Sequence, residues 1–198
     1  NTTGSENVGI GSNALGSNTT ANDNVAIGGG ALATNTTGAD NVAIGRVALA
    51  NSTTAANNVA IGRNALLATT TGINNTALGY NAGLSMTSGQ QNVFVGAQSG
   101  DAITTGENNT AVGQGALAND DVGLGSVAVG TQAMTNQNIA SAGYTLNTAV
   151  GFQSLYYNVT GAGNTALGYR AAFGSATGAS HSSNTAIGYH ALKDITTG

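Results

Sequence analysis

Apolar and polar residues alternate in one short pattern that recurs along the whole chain. The pattern reads Asn-Val-Ala-Ile-Gly at residues 41–45, and eleven copies of it can be aligned. The copies begin at Asn7, Asn24, Asn41, Asn58, Asn75, Asn92, Asn109, Ser126, Asn147, Asn164 and Asn184. The first eight are 17 residues apart, and the last three follow at intervals of 21, 17 and 20. A fixed short period over a whole chain is typical of a solenoid, in which each repeat forms one coil of a stack.

The motif itself predicts a short β-strand. We number its positions 1 to 5 from Asn to Gly, with position 6 for the residue after the glycine. Position 2 is always valine or threonine, and position 4 is always isoleucine, valine or leucine, which are strand formers at period two. Position 3, on the other face, is alanine in nine copies, with Gly9 and Phe94 as the exceptions. Since both faces are apolar, we expect the strand to be buried on both sides, with Val and Ile in the core.

The rest of each repeat predicts a corner, a second strand and a return turn. Position 5 is glycine in all eleven copies, which indicates a corner with positive φ or close backbone approach. An Ala-Leu pair follows, as at Ala48-Leu49, and predicts a second, shorter strand. Hydroxyl pairs followed by a small residue, as in Thr36-Thr37-Gly38, are typical of turns. The predicted fold class is all-β, a parallel β-roll or β-helix solenoid of about eleven 17-residue coils.

The chain is expected to form one continuous domain with two parts. Residues 1–118 carry the regular repeats, and residues 119–198 carry irregular, aromatic-richer repeats of the same solenoid. Both ends fall within return turns and neither has the character of a capping repeat. We therefore expect this chain to be a segment of a longer fibre.

Composition narrows the function classes. The chain has 31 glycines, no proline, no cysteine and a net charge of −4, and only 6% of its residues are charged. Four Lys and Arg residues cannot neutralise a phosphate backbone, which argues against nucleic acid as a partner. No run of about 20 apolar residues is present, so membrane insertion is not expected for this segment.

Sites for chemistry are scarce. Neither histidine has a cysteine or a group of carboxylates near it in the sequence, and no nucleophile elbow or phosphate loop occurs. We therefore predict a non-enzymatic protein with no catalytic, cofactor-binding or metal-binding residues and no cofactor.

Two columns of the stack predict specific contacts. The position-1 asparagines are expected to form a hydrogen-bonded ladder along the stack, at the strand spacing of about 4.7–4.8 Å. Its members are Asn7, Asn24, Asn41, Asn58, Asn75, Asn92, Asn109, Asn147, Asn164 and Asn184. The position-3 alanines are small and apolar, which predicts a seam that another chain packs against closely. This seam comprises Ala26, Ala43, Ala60, Ala77, Ala111, Ala128, Ala149, Ala166 and Ala186.

Aromatic residues concentrate in the last third of the chain. A receptor-binding patch is one interpretation, because exposed aromatics on irregular loops often bind partners. Its candidate members are Tyr144, Tyr156, Tyr157, Phe173 and His181. The alternative is a wider section of fibre with a larger core. Tyr80, Phe152, Tyr169 and Tyr189 share position 6, which favours packing for those four.

The repeated string Asn-Val-Ala-Ile-Gly-x-x-Ala-Leu resembles the head repeats of trimeric autotransporter adhesins of the YadA type. The segments 75–82 and 164–171 are also similar to Asn-Thr-Ala-Leu-Gly-Tyr repeats of phage tail fibres. The resemblance implies a left-handed β-roll, three identical chains around one axis, and an extracellular, cell-surface or virion location. It also implies adhesion or host attachment, with a host-surface receptor or glycan as partner. It does not separate a bacterial adhesin from a phage fibre.

Two other functions stay open at this point. Threonine columns on a solenoid are typical of ice-binding proteins, although the threonines here are adjacent and so point to opposite faces of an extended segment. A glycan-degrading tailspike is the other alternative, since such proteins can place carboxylates between protomers.

Overall fold

The computed structural model describes residues 2–139, 143–175 and 179–196. Within these residues the chain is all-β, with short strands, turns and no helix. The predicted parallel β-solenoid is confirmed, because each motif pairs in parallel register with the next one along the chain.

Thirteen strands make up two parallel sheets. The larger sheet stacks eleven strands in chain order, β1-β2-β3-β4-β5-β6-β7-β9-β11-β12-β13, and β8 pairs with β10 beside it. The strands are β1 Val8–Ile10, β2 Val25–Ile27, β3 Val42–Ile44, β4 Val59–Ile61, β5 Thr76–Leu78, β6 Val93–Val95, β7 Thr110–Val112, β8 Gly123–Leu124, β9 Val127–Val129, β10 Gly143–Tyr144, β11 Thr148–Val150, β12 Thr165–Leu167 and β13 Thr185–Ile187.

The interior of each coil is lined by small side chains, which corrects the expected orientation of the strands. Position 3 points inward, and Ala43 and its neighbours in that column have no exposed surface in the single chain. Positions 2 and 4 point outward and are half-buried or exposed. The strand is therefore not buried on both sides, and valine and isoleucine do not form the core. A coil this narrow accepts alanine opposite the leucine column, whereas a β-branched side chain would be too wide.

The proposed seam is wrong for the same reason. Side chains that are already enclosed by their own coil cannot present a surface to a second chain. All nine alanines lie inside the solenoid, with exposures between 0% and 2%. The set is Ala26, Ala43, Ala60, Ala77, Ala111, Ala128, Ala149, Ala166 and Ala186.

The Ala-Leu pairs form turns and not the expected second strand. Leu49 and Leu66 have φ near +50°, in the left-handed region that bulky residues seldom adopt. This conformation directs each leucine into the coil, where both side chains are fully buried. Burial of a leucine contributes about 1.5–3 kcal/mol, which is enough to offset strain of roughly 1–3 kcal/mol at that residue.

In one coil, a phenylalanine fills the core in place of the alanine and leucine side chains. Phe94 occupies position 3 and is fully buried where other coils have alanine. The leucine column contains Gly83 and Gly100 at this height, and a Cβ atom on either would lie within 2.8 Å of the Phe94 ring. The large ring therefore occupies the volume that two leucines leave free, which keeps the core filled.

The position-5 glycines form the predicted corners. Their φ values lie between +125° and +144°, and each of them but the last lies against the backbone of the next coil. A Cβ atom on Gly28 would lie 2.6 Å from the carbonyl oxygen of Gly45. Glycine is required here both for its conformation and for the close approach of successive coils.

Two single variants, each with alanine at one of two neighbouring glycines, test this requirement. Gly28→Ala is expected to cost at least about 2 kcal/mol in the free energy of unfolding, because it combines a backbone clash with an unfavourable φ. Gly29→Ala is the matched control, since its Cβ would meet nothing closer than Ser12 O at 4.0 Å. It should stay within about 1 kcal/mol of the parent. Denaturant unfolding of both variants measures the difference, and equal stabilities would contradict the proposed corner geometry.

Candidate functional site

The position-1 asparagines form a continuous ladder through the regular coils. Asn41 Oδ1 accepts two hydrogen bonds from the next coil, one from the Asn58 backbone N–H at 3.1 Å and one from its Nδ2 at 3.1 Å. Asn58 Nδ2 also donates to Gly72 O at 2.9 Å, in the return turn that ends the same repeat. Each amide thus fixes the register of two strands and holds the turn against them, as the sequence predicts. The amides are buried and mutually satisfied, so they are not free to bind a ligand.

Other side chains make the hydrogen bonds of the ladder at Ser126, where serine replaces asparagine. The amide of Gln137 stands in for the missing group: Asn147 Nδ2 donates to Gln137 Oε1 at 2.7 Å. Gln137 Nε2 in turn donates to Asp120 Oδ2 at 2.8 Å and to Ser126 Oγ at 3.3 Å. The hydroxyl of Ser126 lies 2.7 Å from that of Thr145. This buried network carries the stack across the first irregular spacing.

Asp120 is the carboxylate of that network, and it has no exposed surface. Burial raises its pKa above the ordinary value, while hydrogen bonds from Gln137 and Gly123 oppose the rise and the charge of Asp121 adds to it. Neither the burial of Asp120 nor a role for Gln137 was predicted from the sequence. A signal existed in the sequence, because both lie eleven residues after the start of a motif. That column also holds Asn18, Asn35, Ser52, Thr69 and Asn158.

The outward face of the large sheet is a long, largely apolar surface. Positions 2 and 4 of successive strands form two parallel rows of valine, isoleucine, leucine and threonine along all eleven strands. Several members of these rows are clearly exposed in the single chain, including Ile10 at 58%, Leu78 at 44% and Ile187 at 66%. A largely apolar strip that is half-buried to exposed along eleven strands is typical of an interaction surface.

Aromatic side chains form two short stacks beside this face. In the first, at position 6, Phe152 stacks on Tyr169 at 5.5 Å between ring centroids, and Tyr169 stacks on Tyr189 at 5.2 Å. In the second, Tyr156 stacks on Phe173 at 5.4 Å. These rings lie outside the coil, and those of the first stack are exposed in the single chain, so they pack against one another and not in the core of their own coil.

Arg170 connects the two stacks. Its guanidinium carbon lies 5.4 Å from the centroid of Tyr169 and 4.9 Å from that of Phe173, within the range of cation–π attraction. Its Nε donates to Gln153 Oε1 at 2.8 Å. Arg170 was not predicted as a functional residue, although it lies next to an aromatic position of the repeat.

The structure separates the members of the predicted receptor patch. Tyr156, Tyr157 and Phe173 form one cluster of ring contacts, with all three half-buried. Tyr144 lies on β10 and is 74% exposed, with no ring contact to another described residue. The prediction that His181 belongs to the patch is wrong, because its side chain is fully buried and cannot contact a receptor. Burial lowers the pKa of its imidazole, and neither ring nitrogen has a hydrogen-bond partner among the described residues.

The described residues offer little for a metal site or a membrane span. Among residues 2–139, 143–175 and 179–196, no group of three or more His, Cys, Asp or Glu side chains is arranged to hold a metal ion. In the same part of the chain, no helix has the length and apolar character needed to cross a membrane. Comparisons with protein-family models, curated proteins and solved structures found no match to this chain.

The buried carboxylate predicts a pH dependence of stability. Since the pKa of Asp120 is higher in the folded state, the ionised carboxylate is destabilising, and protonation on acidification relieves this cost. The melting temperature of the parent should therefore rise relative to that of Asp120→Asn, which has no ionisable group at this position, as the pH falls through the folded pKa toward the ordinary value. Asp194→Asn, at an exposed site, is the control. A difference in melting temperature between the parent and Asp120→Asn that does not change between pH 7 and pH 4 would contradict the assignment.

Proposed function

We propose that this chain is a non-enzymatic structural segment of an extracellular trimeric fibre that serves adhesion or host attachment. The supporting observation is the outward strand face, two largely apolar rows that continue through eleven strands. A monomer would leave the uncovered part of this strip in contact with water, which is unfavourable by about 25 cal/mol per Å² of apolar surface. Eleven strands at about 4.8 Å give a rod segment roughly 50 Å long.

A second copy of the same chain is the partner that fits this strip best. Its side chains recur once per coil, so a partner must present the same axial repeat to fill the grooves between them. Only a solenoid with the same spacing does so over the full length, including the irregular intervals at 126–147 and 164–184. Three copies around one axis follow from the resemblance to YadA-type heads and phage fibres. That resemblance also motivates the left-handed roll and the extracellular or virion location.

Neither alternative function is favoured by a feature of the described residues. An ice-binding face needs two regular columns of free hydroxyls. The first threonine of each pair donates its hydroxyl to a backbone carbonyl of the next coil, as Thr36 Oγ1 does to Thr53 O at 3.0 Å. Thr19, Thr53 and Thr87 do the same. One column, that of Thr37, Thr54 and Thr71, remains exposed without such a bond.

The mass of the protein in solution tests the assembly. Light scattering should give three times the 19.2 kDa mass of one chain. Ile44→Glu combined with Ile61→Glu should produce a folded monomer, because both side chains lie on the outward face and a carboxylate there can reach water once the trimer dissociates.

Exposed threonines provide the matched control for this pair. Thr54→Glu combined with Thr71→Glu adds the same charge at exposed positions of the return turns and should leave a trimer. A parent protein that is a stable monomer would contradict the proposed fibre. The proposed fibre would also be contradicted if the Ile44→Glu and Ile61→Glu double variant kept the mass and melting temperature of the parent.

Attachment has a separate test on an array of host glycans. Labelled protein should bind a subset of the glycans, and Tyr144→Ala should weaken that binding by at least about tenfold, because exposed tyrosines often dominate binding energy. Thr54→Ala, in the regular part of the solenoid, should have no effect. Absence of binding to every glycan, or equal binding by the Tyr144 variant, would contradict an attachment role for this end of the chain.

A further inference from the structure

Two positions of the repeat change together along the chain. Position 2 is threonine in five coils and valine in six. Four of the five threonine coils have an aromatic residue at position 6, whereas none of the six valine coils does. The four pairs are Thr76 with Tyr80, Thr148 with Phe152, Thr165 with Tyr169, and Thr185 with Tyr189. The fifth threonine, Thr110, is followed by Gln114.

The fold of one coil does not bring the two positions together. Positions 2 and 4 lie on one extended strand about 7 Å apart, and the glycine corner follows before position 6. The two positions therefore lie at opposite margins of the outward face. The position-6 rings instead contact their own column: Tyr80 lies beside the guanidinium of Arg63 at 5.9 Å, and Phe152, Tyr169 and Tyr189 stack on one another.

The margin near position 6 is exposed in three of these coils. Leu78, Leu167 and Ile187 at position 4 are 44%, 46% and 66% exposed. The adjoining rings of Tyr80, Tyr169 and Tyr189 are 48%, 38% and 75% exposed. Each of the three coils thus presents a joined aliphatic and aromatic patch that its own chain leaves uncovered.

We propose that, in the homotrimer, the aromatic ring at position 6 of one protomer packs over the position-2 threonine of the neighbouring protomer in the same coil. This inference rests on the proposed trimer. A ring of three chains around one axis uses a heterologous contact, in which one margin of the face meets the other margin of the next chain. Rotation about an axis parallel to the stack places each coil beside the same coil of the neighbouring chain. A substitution at position 6 of one chain therefore faces position 2 of the same coil in the next chain.

The chemistry of the pair explains why threonine accompanies the ring. Threonine has the shape of valine but carries a hydroxyl, and a tyrosine hydroxyl that becomes buried at an interface needs a hydrogen-bond partner. Three of the four rings are tyrosines, at Tyr80, Tyr169 and Tyr189. Where position 6 is Gly29, Arg46 or Arg63, position 2 is valine and no such partner is needed.

Cysteine crosslinking tests the contact directly, because the chain has no cysteine of its own. Thr76→Cys and Tyr80→Cys are introduced in the same chain, and the assembled protein is treated with diamide or with a short bifunctional thiol reagent. The proposed contact predicts links between chains, which close into a covalent trimer on a non-reducing gel. A link within one chain would leave the mass of a single chain.

A register control uses Thr76→Cys together with Arg46→Cys. These are the same two columns, but the residues are two coils apart, roughly 10 Å along the axis. This variant should give little or no covalent trimer. The proposal would be overturned if the 76/80 variant linked only within chains, or if both variants formed covalent trimers equally well.

A double-mutant cycle tests the role of the hydroxyls. At fixed protein concentration, Thr76→Val and Tyr80→Phe should each lower the melting temperature of the trimer, and the double variant should lose no more than the larger single loss. Additive losses would overturn the proposed hydrogen bond. A protein that is trimeric by mass but shows neither the crosslink nor the coupling would refute only the proposed contact. A monomeric protein would refute the proposed trimer as well.

Discussion

The asparagine ladder is the interaction on which the rest of the structure depends. Most of its side-chain oxygens accept two hydrogen bonds from the next coil, as Asn41 Oδ1 does from Asn58, while Asn92 and Asn109 each accept one. Those bonds fix where every strand begins relative to its neighbour, and so hold the glycine corners and inward-facing alanines in line. Where Ser126 breaks the ladder, Gln137 and Asp120 supply the missing polar groups from another column. A buried amide left unpaired would cost about 1–3 kcal/mol, which explains why an interruption needs a replacement.

Much of this fold could be predicted from the period of the sequence. The strands, their parallel stacking, the glycine corners and the ladder all follow from reading residues as columns. The orientation of the strand could not be read from alternation, because both of its faces are apolar; the decisive property is size, since Ala43 fits inside a narrow coil and Ile44 does not. Leu49 was expected in a strand because its positive φ is rare for a bulky residue and has no signature in propensity. Within the receptor patch, sequence could not separate buried His181 from exposed Tyr144, since both lie in irregular spacings.

The orientation of the strands links the fold to the proposed function. With alanine inside, each chain completes its own core, and the valine and isoleucine rows remain available for assembly. The aromatic-rich end adds stacked rings and Arg170 beside those rows, while Tyr144 projects from a separate small sheet. We therefore propose different surfaces for the two roles: assembly on the large sheet, and attachment at the irregular end of the solenoid.

A crystal structure of the assembled protein would test the central claim most directly, namely that copies of the chain meet through the outward strand face. The account predicts three parallel chains, with Val42 and Ile44 of each facing the common axis and Ala43 enclosed within its own coil. An assembly in which the strand faces point to solvent, or in which Ala43 contacts another chain, would contradict it.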